Sequence, residues 1–552
     1  MLLRFFCYID SKILSSARPL IFLSVLVIAL PNLFLPEVSE PFFNNDETRH
    51  VMTGVFFRDF FADLPISEPK EYTIHYYLQY PALGLLVWPP LFHFIEGGVM
   101  LVLGTSIIVS RALITAFALL AFLYLFKLVS HTHKSSTAAL AVLMFGSSSL
   151  IITYANQVML EMPMLACSLA AIYYFVRYVD QQNRLDVVLA TLATVFAVLV
   201  RYNGVSLVPI FICILLLKKR LDLLRSREVL VCATLGSLFV LPIYGFNLMN
   251  YGWVQLNNQS ARISHGLSEF LSQVDFWYYP SRLPEQIGWL VLVPALIGLS
   301  FCMNRDRRKC SWPYLAIIIV TYAMYTPMSL PSSRYAIFWI PAFAVFAAEG
   351  MEIILNCVPR PQIRILILIM LICGVLATNL RAKRRYVRGY EEAAQYVTSH
   401  TQDSNFVLFD GDLDGNFIYQ IRRNNRSKDL WVLRGDKLFY SFIVYPDVAY
   451  KEYSRSGSDI LDIIFKYDPE YIVVEEPRRS TIPMADSLRA VLKRYPERFE
   501  LANVVPIQSN LSAFNGIDLK IYRNLLRNEV RENSLSIELQ GLRRTISTTI
   551  RN

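Results

Sequence analysis

The chain has little cysteine, and none of it is arranged for a structural role. Its eight cysteines (Cys7, Cys167, Cys213, Cys232, Cys302, Cys310, Cys357 and Cys373) lie in apolar runs or short basic loops, and none follows Cys373. No Cys-x-x-Cys or Cys/His metal spacing occurs, which argues against a disulfide framework or a zinc module. There is no glycine-rich phosphate loop, so direct binding of a nucleotide sugar has no sequence support. Repeats of solenoid length are missing. After Arg4, Lys12 and Arg18 the apolar run to Leu35 lacks a small-residue cleavage site and reads as a retained anchor.

What is abundant is apolar sequence. Over 552 residues, 54% are hydrophobic, 13% are aromatic and only 18% are charged, with a mean hydropathy of +0.38. That balance belongs to multi-span membrane proteins. The formal net charge of +9 comes from short basic clusters between apolar runs, which indicates membrane topology and not a nucleic-acid partner. Apolar segments of spanning length fall near 19–36, 110–128, 136–154, 158–176, 185–200, 202–217, 229–248, 286–303, 312–329, 335–356 and 363–380, about eleven spans.

A further apolar stretch, 81–103, contains Pro89-Pro90, His93 and Glu96 and reads as surface-lying or re-entrant. The basic loops Lys127–Lys134, Arg177–Arg184, Lys218–Arg227, Arg305–Lys309 and Arg360–Arg364 then share the cytoplasmic side with the N-terminus. The first external loop is 37–109. Everything after Leu380 is expected outside.

From Tyr386 the composition turns to that of a soluble α/β domain, 386–522. Helices are expected at Tyr390–Ser399 and Ile460–Lys466, with strands at Phe406–Phe409 and Tyr471–Val474. The tail 523–552 is polar, basic and without strong periodicity, which predicts loose order. The fold class is therefore a polytopic α-helical membrane protein with a C-terminal extracytoplasmic α/β domain.

Candidate functional residues collect on the predicted outer side. Asn44-Asn45-Asp46-Glu47-Thr48-Arg49-His50 opens a helix with Asn45 as expected cap and acids in the first turn. A carboxylate pair at a membrane surface suits proton abstraction or metal binding. Glu161 is an ionisable residue near the outer end of its helix. Arg201-Tyr202, Arg334-Tyr335, and Arg381 with Lys383, Arg384 and Arg385 run against the positive-inside trend and suit a phosphate; headgroup attraction is the alternative. Trp253, Trp277, Tyr278 and Tyr279 in the loop 250–285 are ordinary interfacial aromatics or a lid. Asp410-Gly-Asp412-Leu-Asp414-Gly415 imitates a calcium loop, but Ile421 stands at its twelfth position, so it reads as a loop ending a strand.

These residues resemble a family. Asn45-Asp46-Glu47-Thr48-Arg49-His50 is similar to the Asp-Glu-Thr-Arg-Tyr segment in the first external loop of bacterial aminoarabinose–lipid A transferases. More broadly the chain resembles protein mannosyltransferase-like glycosyltransferases of the GT-C fold. Trp88-Pro89-Pro90-Leu91, Glu161-Met162-Pro163 and Arg334-Tyr335 followed by Ile340-Pro341 fit the same pattern in order, over roughly 15–380. The Lys that aminoarabinose transferases carry before the first of these prolines is absent.

The resemblance implies inverting transfer of a sugar from a polyprenyl-phosphate donor to a lipid, glycan or protein acceptor on the extracytoplasmic face, in a bacterial inner membrane. By it, Asp46 is the catalytic carboxylate, Glu47 supports it and Glu161 lines the cavity. Arg201, Arg334, Arg381 and Arg384 hold the donor phosphate among membrane lipid. No cofactor is demanded, although a divalent metal is compatible. The chemistry agrees: a lipid phosphate is a good leaving group, so one base and one or two cations suffice. Two competing classes are a transporter or flippase and a polymerase or ligase of lipid-linked glycans. A transporter would place polar residues at the midplane and carry paired interrupted helices.

Overall fold

The structure, a computed structural model, describes residues 42, 44–263, 274–301, 305–328, 331–382, 384–402, 406–425, 429–442, 450–454, 456–526, 534–539 and 542–549, with backbone alone over 253–263 and 305–310. The apolar segment 19–36, Lys383 and the side chain of Trp253 lie outside what is described. The chain divides into two compact units: 1–38, 86–92 and 111–384, and 39–85, 93–110 and 385–552.

The first unit is a helical assembly. Among the described residues, five helices are long and apolar enough to cross a bilayer: Ile107–Thr132, Glu161–Gln181, Arg227–Gly252, Ser333–Cys357 and Pro361–Arg381. The pair Ser135–Gly146 and Ser149–Ala155 makes a sixth if counted as one span bent by 69°. Its break falls at Gly146-Ser147-Ser148, where both serine hydroxyls turn back to the Met144 carbonyl, a recognised cause of sharp kinks. Tyr202–Lys218, Trp289–Phe301 and Ser311–Tyr325 are shorter apolar helices. Each predicted span within the described residues is thus helical, while only five, or six with the bent pair, have spanning length. The Arg227–Gly252 helix turns its apolar side chains outward, with Leu238, Phe239 and Leu241 exposed, as a lipid-facing helix does.

Helix contact in this unit depends on small residues. Trp289–Phe301 and Ile340–Cys357 approach so closely that a Cβ on Gly298 would lie 1.9 Å from the Phe346 carbonyl oxygen, and one on Gly350 would lie 1.9 Å from that of Pro294. Larger residues at either position would force the backbones apart.

The second unit is built on a five-stranded mixed sheet in the order Trp431–Arg434, Phe406–Asp410, Tyr471–Glu476, Asp518–Asn524, Phe499–Pro506. The first three strands are parallel, and the last two are antiparallel. The apolar runs Phe-Val-Leu-Phe and Tyr-Ile-Val-Val are buried throughout, as expected for strands covered on both faces. Helices Tyr390–His400, Asp414–Asn424, Gly457–Tyr467 and Pro483–Arg494 complete the α/β layer.

Two features depart from the sequence reading. The first loop joins this unit: Leu78 from helix Pro69–Gln79 sits in one core cluster with Phe406, Leu408, Trp431 and Leu433. The tail is not loose where it is described. Ser534–Leu539 and Arg544–Thr549 pair as an antiparallel hairpin, and Leu535 and Ile537 enter that core. Alternation of Leu535 and Ile537 with polar neighbours is a period-two pattern too short to stand out among so many polar residues.

Candidate active site

In the second unit, helix Asn45–Asp63 carries the acidic motif. Its cap is Asn44 and not Asn45: the Asn44 side-chain oxygen accepts from the Glu47 backbone N–H. Asn45, one position further in, reaches the C-terminal segment, where its amide donates to the Asp412 carbonyl at 2.6 Å and its oxygen accepts from Gly415 N–H. A Cβ on Gly415 would come within 1.9 Å of Thr48 Oγ1, so glycine permits this approach. Asp46 is half-buried and Glu47 is buried, both in the first turn where the helix dipole favours negative charge.

One turn further, His50 Nδ1 lies 2.9 Å from His93 Nε2, with both rings buried and stacked. Glu96, also buried, covers Gly54 so closely that a Cβ there would be 2.4 Å from its Oε2. The polar residues of 81–103 thus face the unit's interior. Deeper in the same helix, Asp59 is fully buried and accepts from Arg422 at 2.6 Å, Tyr76 at 2.7 Å and Arg58 at 2.7 Å. Burial raises its pKa, but Arg422, Tyr76 and Arg58 more than offset this and hold the carboxyl below its ordinary range. The sequence reading missed this tie. Its signal was a charged pair embedded among aromatics, Phe56-Phe57-Arg58-Asp59-Phe60-Phe61, which cannot be buried unpaired.

The three aspartates of the calcium-like loop are taken by arginines. Asp410 pairs with Arg478 and Arg489, Asp412 with Arg478 and Arg479, and Asp414 with Arg434 and, at 3.8 Å, Arg49. Asp410 ends its strand, as the strand-end reading expected. Among the described residues no group of three or more His, Cys, Asp or Glu is placed to hold a metal ion.

In the first unit, Glu161 opens helix Glu161–Gln181, and its Oε1 receives a short hydrogen bond from Arg201; both side chains are buried. Arg201 has extended backbone and precedes the 3₁₀ turn Tyr202–Ser206, which leads into Leu207–Lys218. Arg334 stands in a second 3₁₀ turn, Ser333–Trp339, which leads into Ile340–Cys357. Pro341, tolerated in a first turn, marks that transition. Short 3₁₀ pieces are frequent at helix starts; Tyr202 opens the first of these turns directly after Arg201, and Arg334-Tyr335 lies within the second.

An aromatic ladder connects them. The Arg334 guanidinium lies over Tyr335, 5.5 Å from the ring centre, and Tyr335 stacks on Tyr325 at 5.7 Å. Tyr325 is within electrostatic range of Arg201. Arg384 Nε donates to Asn156 Oδ1 at 2.9 Å, just past the bent helix pair. Arg381 ends its helix in an exposed position. Of the sequence-predicted residues, Glu161 and Arg201 are therefore in contact, and Arg334 is linked to them through tyrosines. Arg381 and Arg384 lie at the end of the last span, and Asp46 and Glu47 belong to the second unit.

Residues 87–246 match the family model described as dolichyl-phosphate-mannose-protein mannosyltransferase. No curated protein matches the chain by sequence. Among solved structures, the chain is similar to ArnT from Cupriavidus metallidurans bound to undecaprenyl phosphate, at 12% identity and a TM-score of 0.59, covering 90% of this chain and 99% of that one. It is also similar to the archaeal oligosaccharyltransferase AglB from Archaeoglobus fulgidus in complex with an inhibitory peptide and a dolichol phosphate (11%, TM-score 0.54, 83% and 69%). The arabinofuranosyltransferase AftD from Mycobacteria matches as well (10%, TM-score 0.50, 95% and 41%). The resemblance to GT-C fold, polyprenyl-phosphate-sugar-dependent glycosyltransferases is borne out, and the chain is an integral membrane protein with that fold.

Proposed function

We propose that the protein is an inverting glycosyltransferase that moves a sugar from a polyprenyl-phosphate donor to a lipid, glycan or protein acceptor on the extracytoplasmic face. The observation that carries this is the extent of the fold match: nearly the whole of ArnT, solved with undecaprenyl phosphate, corresponds to nine-tenths of this chain. In this reading Asp46 accepts the proton of the acceptor O–H as that oxygen attacks the anomeric carbon. The bond from that carbon to the donor phosphate breaks, and polyprenyl phosphate departs. Arg201 and Arg334 neutralise the charge that grows on the departing phosphate, with Arg384 and Arg381 as further cations. Glu161 fixes one edge of the Arg201 guanidinium and leaves its remaining N–H groups for phosphate. Glu47 supports Asp46.

The protein sits in a bacterial inner membrane, with the C-terminal domain and the first loop outside the cytoplasm. A purified full-length protein in nanodiscs, given synthetic polyprenyl-phosphate sugars, transfers the sugar without ATP on this reading. Lipid movement across the bilayer with no covalent product would instead establish a transporter.

A further inference from the structure

Within the second unit, three cations surround two carboxylates. Arg434 is buried and fully used: it grips Asp436 through two hydrogen bonds of 2.8 and 2.5 Å, lies 2.5 Å from Asp414 Oδ2, and donates to the Pro81 carbonyl. Both oxygens of Asp436 are thereby taken by Arg434, while Asp414 has ion-pair contacts with Arg434 and Arg49. Lys437, whose side chain is only 16% exposed, comes no nearer than 3.9 Å to Asp436. Arg49, 27% exposed, comes no nearer than 3.8 Å to Asp414. Among the described residues neither side chain makes a hydrogen bond. Arg49 and Lys437 are also close enough to repel one another, and Tyr77 lies within range of Arg49, Arg434 and both acids. Burial, together with Arg434 and Arg49, lowers the Lys437 pKa, while Asp436 and Asp414 act in the opposite sense.

Eight N–H donors are held here, five on Arg49 and three on Lys437, in a partly desolvated place with one net positive charge. A buried ammonium without a hydrogen-bonded counter-charge is costly. An incoming oxyanion would remove that cost, using a planar fork from one side and a point charge from the other. Arg49 also follows Asp46 by three helical positions, so the two side chains are neighbours on one helix surface.

We infer that Arg49 and Lys437 form an anion site for a phosphate or carboxylate carried by the acceptor. This rests on the glycosyltransferase reading only in assigning the anion to the acceptor. The donor phosphate is assigned to other residues, in the first unit.

The test is binding to the full-length protein in nanodiscs, with inorganic phosphate, acetate and undecaprenyl phosphate as probes. Wild type is expected to bind inorganic phosphate saturably. Lys437→Gln and Arg49→Gln should each weaken it at least tenfold, as befits loss of a charge-assisted contact, while Lys437→Arg should retain most of it. Undecaprenyl phosphate should bind all four proteins alike and should not displace inorganic phosphate. Competition by acetate would assign the site to carboxylates as well as phosphates, and its absence to phosphates alone. Inorganic phosphate binding that is absent, or unchanged in both Gln variants, would overturn the site. Loss of undecaprenyl phosphate binding in the same variants would overturn its assignment to the acceptor. A protein that performs no glycosyl transfer yet binds inorganic phosphate through Lys437 would keep the site and refute the enzyme. If Lys437→Gln fails to fold, the partly exposed Arg49→Gln carries the same comparison.

Discussion

Arg201 closes on Glu161 as a buried ion pair at the head of two different helices. Two buried charges in contact are mutually dependent, and removing one strands the other. Glu161→Ala is therefore expected to lower the thermal midpoint of the purified protein markedly. The double variant Glu161→Ala with Arg201→Met should recover part of that loss, since no buried charge is left unpaired. Transfer should fail in both. Additive destabilisation in the double variant would show that the pair is not coupled.

Arg334 presents its guanidinium from a 3₁₀ turn and not from a regular helix. Replacing it with Ala should weaken binding of the polyprenyl-phosphate donor, and Lys should rescue only in part because the planar fork is lost. Unchanged donor affinity in Arg334→Ala would leave headgroup attraction as the better explanation of this residue.

Asp59 ties the first loop to Arg422 in the C-terminal segment. Its carboxyl is held below the ordinary range when folded, so it contributes stability above the unfolded value near 3.9 that is lost as pH falls through the folded value. Asp59→Asn should cost about 3 kcal/mol at neutral pH by stranding Arg422, and should flatten the acid limb of the stability profile below roughly pH 4. Hydrogen exchange of helix Asn45–Asp63 from pH 7 to 3 measures both. An unchanged acid limb in the variant would contradict the role given to this pair.

Much of this arrangement was legible because local signals were strong. The apolar helices announce themselves by hydropathy, although only five or six of those described have spanning length, and the strands Phe406–Asp410 and Tyr471–Glu476 by apolar runs between turn residues. Glu161 and Arg201 each stood out as charges beside apolar helices, but nothing local declares that residues forty positions apart will pair. The same limit hid the partnership of Asp59 with Arg422, and that of Asn45 with Asp412 and Gly415. Pairings of that sequence separation are decided by tertiary packing, and the aromatic run around Asp59 only required that some partner exist. Asn44 caps the helix in place of the expected Asn45: the two side chains are equally good acceptors, and Asn45 is engaged by Asp412 and Gly415 instead.

The placement of the basic loops predicts the membrane sidedness. Reporter fusions at Arg225 and Asp412 are expected to give opposite signals, cytoplasmic at Arg225 and external at Asp412. Matching signals would invalidate the topology, and with it the external placement of the acidic loop.

Asp46 as the base that accepts the acceptor's proton is the central claim, and Asp46→Asn is its most direct test. The cap belongs to Asn44, so the substitution should cost the fold at most about 1 kcal/mol through the helix dipole. It should leave expression and donor binding near normal. Loss of a positioned base typically costs 10²–10⁴-fold in rate. Single-turnover transfer from a synthetic polyprenyl-phosphate sugar should therefore fall by roughly that factor in Asp46→Asn, and less in Glu47→Gln. Turnover of Asp46→Asn close to the wild-type rate would contradict the assignment.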